Sequence, residues 1–372
     1  VDVIDFMFKG YQIIDADSHV LEPIEMWKEF LDPRFKHFAP TPEMTIAGET
    51  VYHKLNFKVA SKLHNHNQQF LQKSYQHYFL NQADPESYVR VMKQTGIDIA
   101  FLYPTYGLFI WAIDSMPPPL AGAFTRAYNH WLQAYCSYDP QILRGVGAIN
   151  QHAPEGMVSQ LQQIAEFGWK AVYLRPNPIK GRLLSDPTYE PFWTECERLG
   201  IAVGLHEASH SRLPTAGAER FNTTFALQSC SHPMEQMMAL LALIEGGVLE
   251  SHPNLRIGFL ESGCGWLPYW LWRLDREYKD LRWEVEDRVK MKPSDYFRRQ
   301  CFISLEPDER YLSEVINYIG SDNLIFGSDY PHPDYRTSII ADAVALEDWL
   351  PQKTVRQILW DNPAHFYGLE FP

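Results

Sequence analysis

The sequence predicts a (β/α)8 barrel, a TIM barrel of the α/β class, on three observations. Eight short apolar runs of strand length recur along the chain, and helical patterns separate them. The run interiors are apolar, whereas ionisable residues gather at their C-terminal ends, which is where barrel enzymes assemble their sites. A doubly wound open sheet is the rival architecture. It calls for a Gly-x-Gly-x-x-Gly after an early strand, and the chain contains none.

The first run is YQIIDAD (11–17), which starts apolar and ends on Asp17, with His19 two residues further on. On an extended chain residues two apart share a side, so both point the same way. Residues 31–84 break the alternation, being rich in Pro, His and Asn and then in Gln and aromatics. We read them as an insertion after the first strand that lies over the barrel mouth, because loops of that length in a compact domain are usually lids or binding segments. The pattern PESYVRVMKQTG (85–96) then precedes DIAFLYP (98–104), and PLAGAFTRAYNHWLQAYC (119–136) precedes LRGVGAI (143–149). PEGMVSQLQQIAEFG (154–168) has Pro near its first turn and Gly at its end, as helices prefer. WKAVYLRP (169–176), IAVGLHE (201–207), RIGFLES (256–262), CFISLE (301–306) and NLIFGSD (323–329) complete the strands. YEPFWTECERLG, PMEQMMALLALIEGG, GWLPYWLWRLDREYKDL, ERYLSEVINYIG and TSIIADAVALEDWL complete the helices, within one domain spanning 1–372.

Composition narrows the class. At 45% hydrophobic and 14% aromatic residues the chain has ample material for a large core. A formal net charge of −13 argues against nucleic acid or an anionic membrane as partner. No stretch approaches the roughly 18 uninterrupted apolar residues of a bilayer span, and the first residues lack the basic start and apolar run of a signal peptide. The five cysteines stand far apart with no Cys-x-x-Cys pair, which fits a reduced, cytoplasmic setting. Cys264, beside a glycine-rich turn, is the one cysteine placed near a candidate site.

The chemistry sits at the strand ends. The first strand ends on Asp17 and His19, the fourth on Arg175, the fifth on His206, the sixth on Glu261, and the eighth on Asp329 followed closely by His332. Each has a bland reading: a single His is often a hydrogen-bonded structural residue, a single Asp often caps a turn, and Arg175 can pair with a carboxylate. Asp, His, His and Asp on the first, fifth and eighth strands of one barrel are harder to explain so. Two imidazoles and two carboxylates suit Zn2+, Mn2+ or Fe2+ and leave a position for water or substrate. His232, in SHPMEQM, is placed just before a helix, as a substrate contact or a helix-start residue. His252 precedes the sixth strand, at the opposite end of the barrel. Trp266, Trp270 and Trp272 recur at near-helical spacing and read as core.

From DADSHVLEP through RPNP, HPMEQM, GVLESHPNLRIGFLESGCGWLPYWLWRLD and FGSDYPHPD to the terminal DNPAHFYGL, the chain resembles the amidohydrolase-related branch of the amidohydrolase superfamily. That branch includes aminocarboxymuconate semialdehyde decarboxylase. The resemblance implies one divalent metal, zinc foremost with manganese or iron as alternatives, held by Asp17, His19, His206 and Asp329. It also implies that Asp329 moves a proton, and that the protein is a homodimer. The aromatic helix GWLPYWLWRLDREY offers apolar area for such a contact. Two departures from the branch's pattern bear on the activity. Its first-strand motif often reads His-x-His or Glu-x-His, where this chain has Asp17, still a competent ligand. Its decarboxylases carry a His after the sixth strand, where this chain has Glu261. A carboxylate there repels a substrate carboxylate and can serve as general base to a metal-bound water. The expectation is therefore a metal-dependent hydrolase of a small anionic or aromatic substrate, with Asp329 or Glu261 as base. Arg175, His332 and His232 are the candidate substrate contacts. The alternatives are non-oxidative decarboxylation of a hydroxylated aromatic or muconate-like acid, and an inactive barrel that binds a ligand or partner.

Overall fold

A computed structural model describes residues 8, 10–46, 49–54, 84–208, 215–332 and 335–370. Each of the eight expected runs gives rise to a strand. They are β1 (Ile14–His19), β4 (Ile99–Tyr103), β5 (Leu143–Ala148), β6 (Ala171–Leu174), β7 (Ala202–Leu205), β8 (Ile257–Phe259), β9 (Cys301–Leu305) and β10 (Leu324–Phe326). All neighbours pair in parallel, in chain order from β1 to β10. Nearly every strand residue is buried, as expected where helices cover the outer face and side chains fill the interior. Among the described residues two further strands, β2 (Thr41–Ile46) and β3 (Glu49–Lys54), pair antiparallel inside the expected insertion. Residues 55–83 of that insertion, and with them the expected cover over the barrel mouth, lie outside the described residues.

The expected helices form, and others form besides them, among them Ile24–Phe30 and Tyr106–Trp111, with the following corrections. Helix 157–166 stops where expected, and Gly168 just beyond it takes a φ of +77° that an L side chain resists. The helix expected to start at Pro233 instead begins at Thr224, capped by the Thr223 hydroxyl. Pro233 was a misleading start signal: it lies inside the helix, and so does His232. Helix 293–300 was not anticipated, because PSDYFRRQ offers only a short apolar pattern, yet it buries Tyr296 and Phe297. Trp272 is the third correction. Trp266 and Trp270 pack on the core, but Trp272 is 46% exposed. Among the described residues no helix is long and apolar enough to cross a membrane.

Closure of the barrel between β1 and the segment after β10 positions everything that follows. The Asp329 N–H donates to the Asp17 carbonyl at 2.9 Å, and the His19 N–H to the Tyr330 carbonyl at 2.7 Å. Asp15, fully buried, accepts from the Ser328 N–H at 2.9 Å and from the hydroxyls of Ser18 and Ser328. Burial outweighs those hydrogen bonds and pushes its carboxyl up to about 6. The β1–β4 register slips between Asp15 and Ser18. This irregularity lets Asp15 serve the seam while Asp17 and His19 turn to the site, a common use of a bulge.

Gly327 lets the two sides approach, since a Cβ there would stand 2.6 Å from Asp17 Cβ. Gly327→Ala should therefore cost about 1–3 kcal/mol in denaturant unfolding, as overpacking does. Gly156→Ala, whose Cβ would meet nothing closer than 3.5 Å, should stay within about 0.5 kcal/mol of the parent. Equal stability of the two variants would mean that the seam is looser than described.

Candidate active site

Two imidazoles define the centre. His19 Nδ1 lies 2.9 Å from the Pro104 carbonyl and His206 Nδ1 lies 2.7 Å from the Glu207 carbonyl. A carbonyl only accepts, so each Nδ1 carries the proton and each Nε2 presents a lone pair to the centre. The rings meet edge to face with centroids 4.8 Å apart. Burial lowers both pKa values below the ordinary histidine range, which keeps the rings neutral.

Carboxylates crowd the same space. Asp17 Oδ1 is 3.7 Å from His19 Nε2 and 3.6 Å from His206 Nε2. Asp329 Oδ1 is 3.3 Å from His19 Nε2, and Glu261 Oε2 is 2.8 Å from His206 Nε2. Burial, together with the charges of Glu261, Asp329 and Asp15, raises the Asp17 pKa well above the carboxylate range, against a smaller opposing pull from His206. Asp17 Oδ1 and both Nε2 atoms are buried and make no hydrogen bond. Donor atoms of Asp17, His19 and His206 lie within 4.8 Å of one another, as do those of His19, Glu261, Asp329 and His332. The backbone supports this convergence: Glu261 and Asp329 both take left-handed φ angles, +48° and +57°. Non-glycine residues in that region are uncommon and cluster at functional sites.

His332 belongs to this group. Its Nδ1 is 2.6 Å from Asp329 Oδ1, its Nε2 is 2.8 Å from Thr105 Oγ1, and its ring stacks on His19 with centroids 3.8 Å apart. Arg175 and His232 do not belong to it. Arg175 is fully buried, with Nη2 2.9 Å from Glu207 Oε1 and 3.0 Å from Asn177 Oδ1, and Nη1 3.1 Å from the Leu108 carbonyl. His232 Nε2 stands 3.5 Å from the other Glu207 oxygen. The two thus flank Glu207, whose backbone carbonyl fixes the His206 tautomer, as outer residues commonly do around a ligand histidine. His252 is held between Glu190 and Glu197, apart from the centre. The Cys264 thiol is buried and its pKa is raised by desolvation, so it is not a reactive group.

Sequence reasoning did not single out Asp15, Glu22, Thr105 or Glu207. Glu22, buried, accepts from the N–H groups of Thr105, Tyr106 and Gly107 and so fixes the turn that carries Thr105. Glu207 follows His206 directly, and an acid ending an apolar strand beside a candidate ligand was the available signal.

Residues 14–369 match the amidohydrolase family, and the chain belongs to that family. A 2-amino-3-carboxymuconate-6-semialdehyde decarboxylase of Dictyostelium discoideum is 25% identical over 292 residues, covering 77% of this chain and 77% of its own. A gamma-resorcylate decarboxylase of Rhizobium radiobacter is 26% identical over 272 residues, covering 70% of this chain and 80% of its own. A solved 5-carboxyvanillate decarboxylase of Novosphingobium aromaticivorans DSM 12444 carries manganese and 4-hydroxy-3-methoxy-5-nitrobenzoic acid. It matches at a TM-score of 0.72 and 19% identity, over 99% of this chain and 100% of that one, which shows the common fold. These relatives are carboxy-lyases, so the comparisons favour the decarboxylation alternative over the expected hydrolysis.

The Arg175–Glu207 pair gives a direct test of the support behind His206. Removing one partner of a buried ion pair strands the other charge and costs about 3–5 kcal/mol. Arg175→Met and Glu207→Leu should each destabilise by that order, while the double variant should lose clearly less than their sum. Additive losses in denaturant unfolding would show that the two side chains are not coupled.

Proposed function

We propose that the protein is a divalent-metal-dependent, non-oxidative decarboxylase of a hydroxylated aromatic or muconate-like acid. The observation that carries this reading is that the sequence relatives above, matching 77% and 70% of this chain, are both carboxy-lyases. The donor set fits a metal. Neutral His19 and His206 turn Nε2 lone pairs toward Asp17 Oδ1, and buried lone pairs that face one another repel unless a cation shares them. We assign Asp17, His19, His206 and Asp329 as its ligands. Manganese ranks ahead of the expected zinc, because the solved relative contains manganese, and iron also suits this donor set.

A bound divalent ion would supply a Lewis acid that draws charge from substrate oxygens. The residues supply the proton. Asp329, protonated, gives its proton to the carbon that bears the carboxylate. The bond from that carbon to the carboxylate then breaks, CO2 departs, and the electron pair returns to the ring. His332 lies between Asp329 and Thr105 and returns the proton to Asp329 for the next turnover. Net, one carboxylate and one proton give one CO2 and one C–H bond. Exposed Tyr269 and Trp272, on the aromatic helix, support the homodimer we include in this reading. Five free cysteines support a reduced, cytoplasmic setting.

Hydrolysis stays as the second reading because of one observation: Glu261 stands 2.8 Å from His206 Nε2, where a general base to a metal-bound water would be placed. Manganese-loaded protein in D2O, with hydroxylated benzoates and muconate-type acids as substrates, separates the two. The proposal expects one CO2 per product and one deuterium on the carbon that lost it. Incorporation of solvent oxygen with no CO2 would establish hydrolysis instead.

Two variants test the residue roles. His206→Ala should stay folded by circular dichroism yet lose most bound metal and nearly all turnover, and full metal content would remove His206 from the ligand set. Glu261→Gln should retain activity within a few-fold if Asp329 alone moves the proton. A loss of about 10²-fold or more, the range of general acid–base catalysis, with metal content unchanged, would make Glu261 the base.

A further inference from the structure

The cavity beside the two histidines, about 70 Å3, is lined by Asp17, Glu261 and Asp329 and by the more exposed Glu306 and Arg336. Four acidic side chains therefore line a cavity whose proposed substrate is itself a carboxylate. Among the described residues Arg336 is the one cationic side chain on this lining. It is carried by the same segment as Asp329 and His332. Its backbone is fixed where the following helix begins, since its carbonyl accepts from the Ile339 N–H at 2.9 Å.

We propose that Arg336 receives the substrate carboxylate at the cavity mouth and gives this acidic site its preference for an acid. The inference rests on the decarboxylase reading and names the residue that reconciles it with Glu261. Arginine suits the task, because its planar fork matches a carboxylate with two parallel donors. Its present partner is easily exchanged. Asp308 Oδ2 meets Nη1 at 2.7 Å, and both side chains are about half exposed, 42% and 56%. A solvent-exposed pair of this kind is weak and screened by salt. Asp308 thus holds the guanidinium at the mouth and yields it to an incoming carboxylate. Asp342 and Glu306 are the other acidic groups acting on Arg336.

Calorimetric binding of 2,6-dihydroxybenzoate and of resorcinol, which lacks the carboxylate, to the manganese-loaded protein tests this. The two probes differ only in the group that Arg336 is proposed to hold. R336Q should weaken 2,6-dihydroxybenzoate about tenfold or more and leave resorcinol within about twofold. R336K, a point charge without the fork, should fall between R336Q and the parent. D308N should bind the acid as well as the parent or more tightly. Equal weakening of both probes by R336Q would show a structural role and overturn the proposal. Unchanged affinity of R336Q for the acid would also overturn it, as would an unmodified protein that does not bind the acid. Failure of the functional reading looks different: the parent would then release no CO2 from any acid tried, while the loss of acid affinity on R336Q would persist.

Discussion

Closure of the barrel between β1 and the end of β10 is the contact on which the site depends. Backbone hydrogen bonds from Asp329 to Asp17 and from His19 to Tyr330 bring the first and last strands together at their C-terminal ends. Asp15 reinforces that seam from β1 by accepting the Ser328 N–H and hydroxyl. The chemistry-bearing residues are their immediate neighbours: Asp17 and His19 on one side, Asp329 and His332 on the other. A Cβ on Gly327 would stand 2.6 Å from Asp17 Cβ, so the two sides meet this closely only where no side chain intervenes. The seam that completes the fold is therefore the same contact that assembles half of the site.

The other half comes from β7 and β8, and it imposes an electrostatic constraint. His206 and Glu261 bring a neutral ring and a carboxylate against Asp17 in a buried space. Burial favours neutral groups, so desolvation raises the pKa of Asp17 and lowers those of both histidines. The Nδ1 hydrogen bonds to Pro104 and Glu207 leave the ring lone pairs facing inward rather than outward. Arg175 and Glu207, a charge pair with no exposure, stand behind His206 and hold the backbone that fixes its tautomer. On the proposed reading this arrangement holds a cation at its centre and a proton at its edge, where Asp329, His332 and Thr105 lie in sequence.

Most of the fold was legible because its determinants are local. Eight apolar runs became eight strands, each within the expected limits except β1, which continues two residues further, to His19. Helix starts were less legible: Pro233 gave the signal of a first turn while the Thr223 cap ten residues earlier set the true boundary. In the site, spacing along single strands placed Asp17, His19, His206, Glu261 and Asp329 at the barrel mouth. Spacing could not show that Arg175 turns inward to Glu207, because that depends on which charges meet across strands. The re-aiming of Asp15 was equally hidden, since strict alternation would put it on the same side as Asp17 and only the register slip separates them. Arg336 and Thr105 lie in loops, where no periodicity indicates which way a side chain points.

The central claim is that Asp17, His19, His206 and Asp329 surround one divalent cation. Anomalous diffraction from crystals grown with Mn2+ measures this most directly, because it locates the metal independently of turnover. The account predicts a single strong peak within about 2.0–2.3 Å of His19 Nε2, of His206 Nε2 and of carboxylate oxygens from Asp17 and Asp329. A fully occupied peak elsewhere, or none at the histidine pair despite saturating metal, would contradict it.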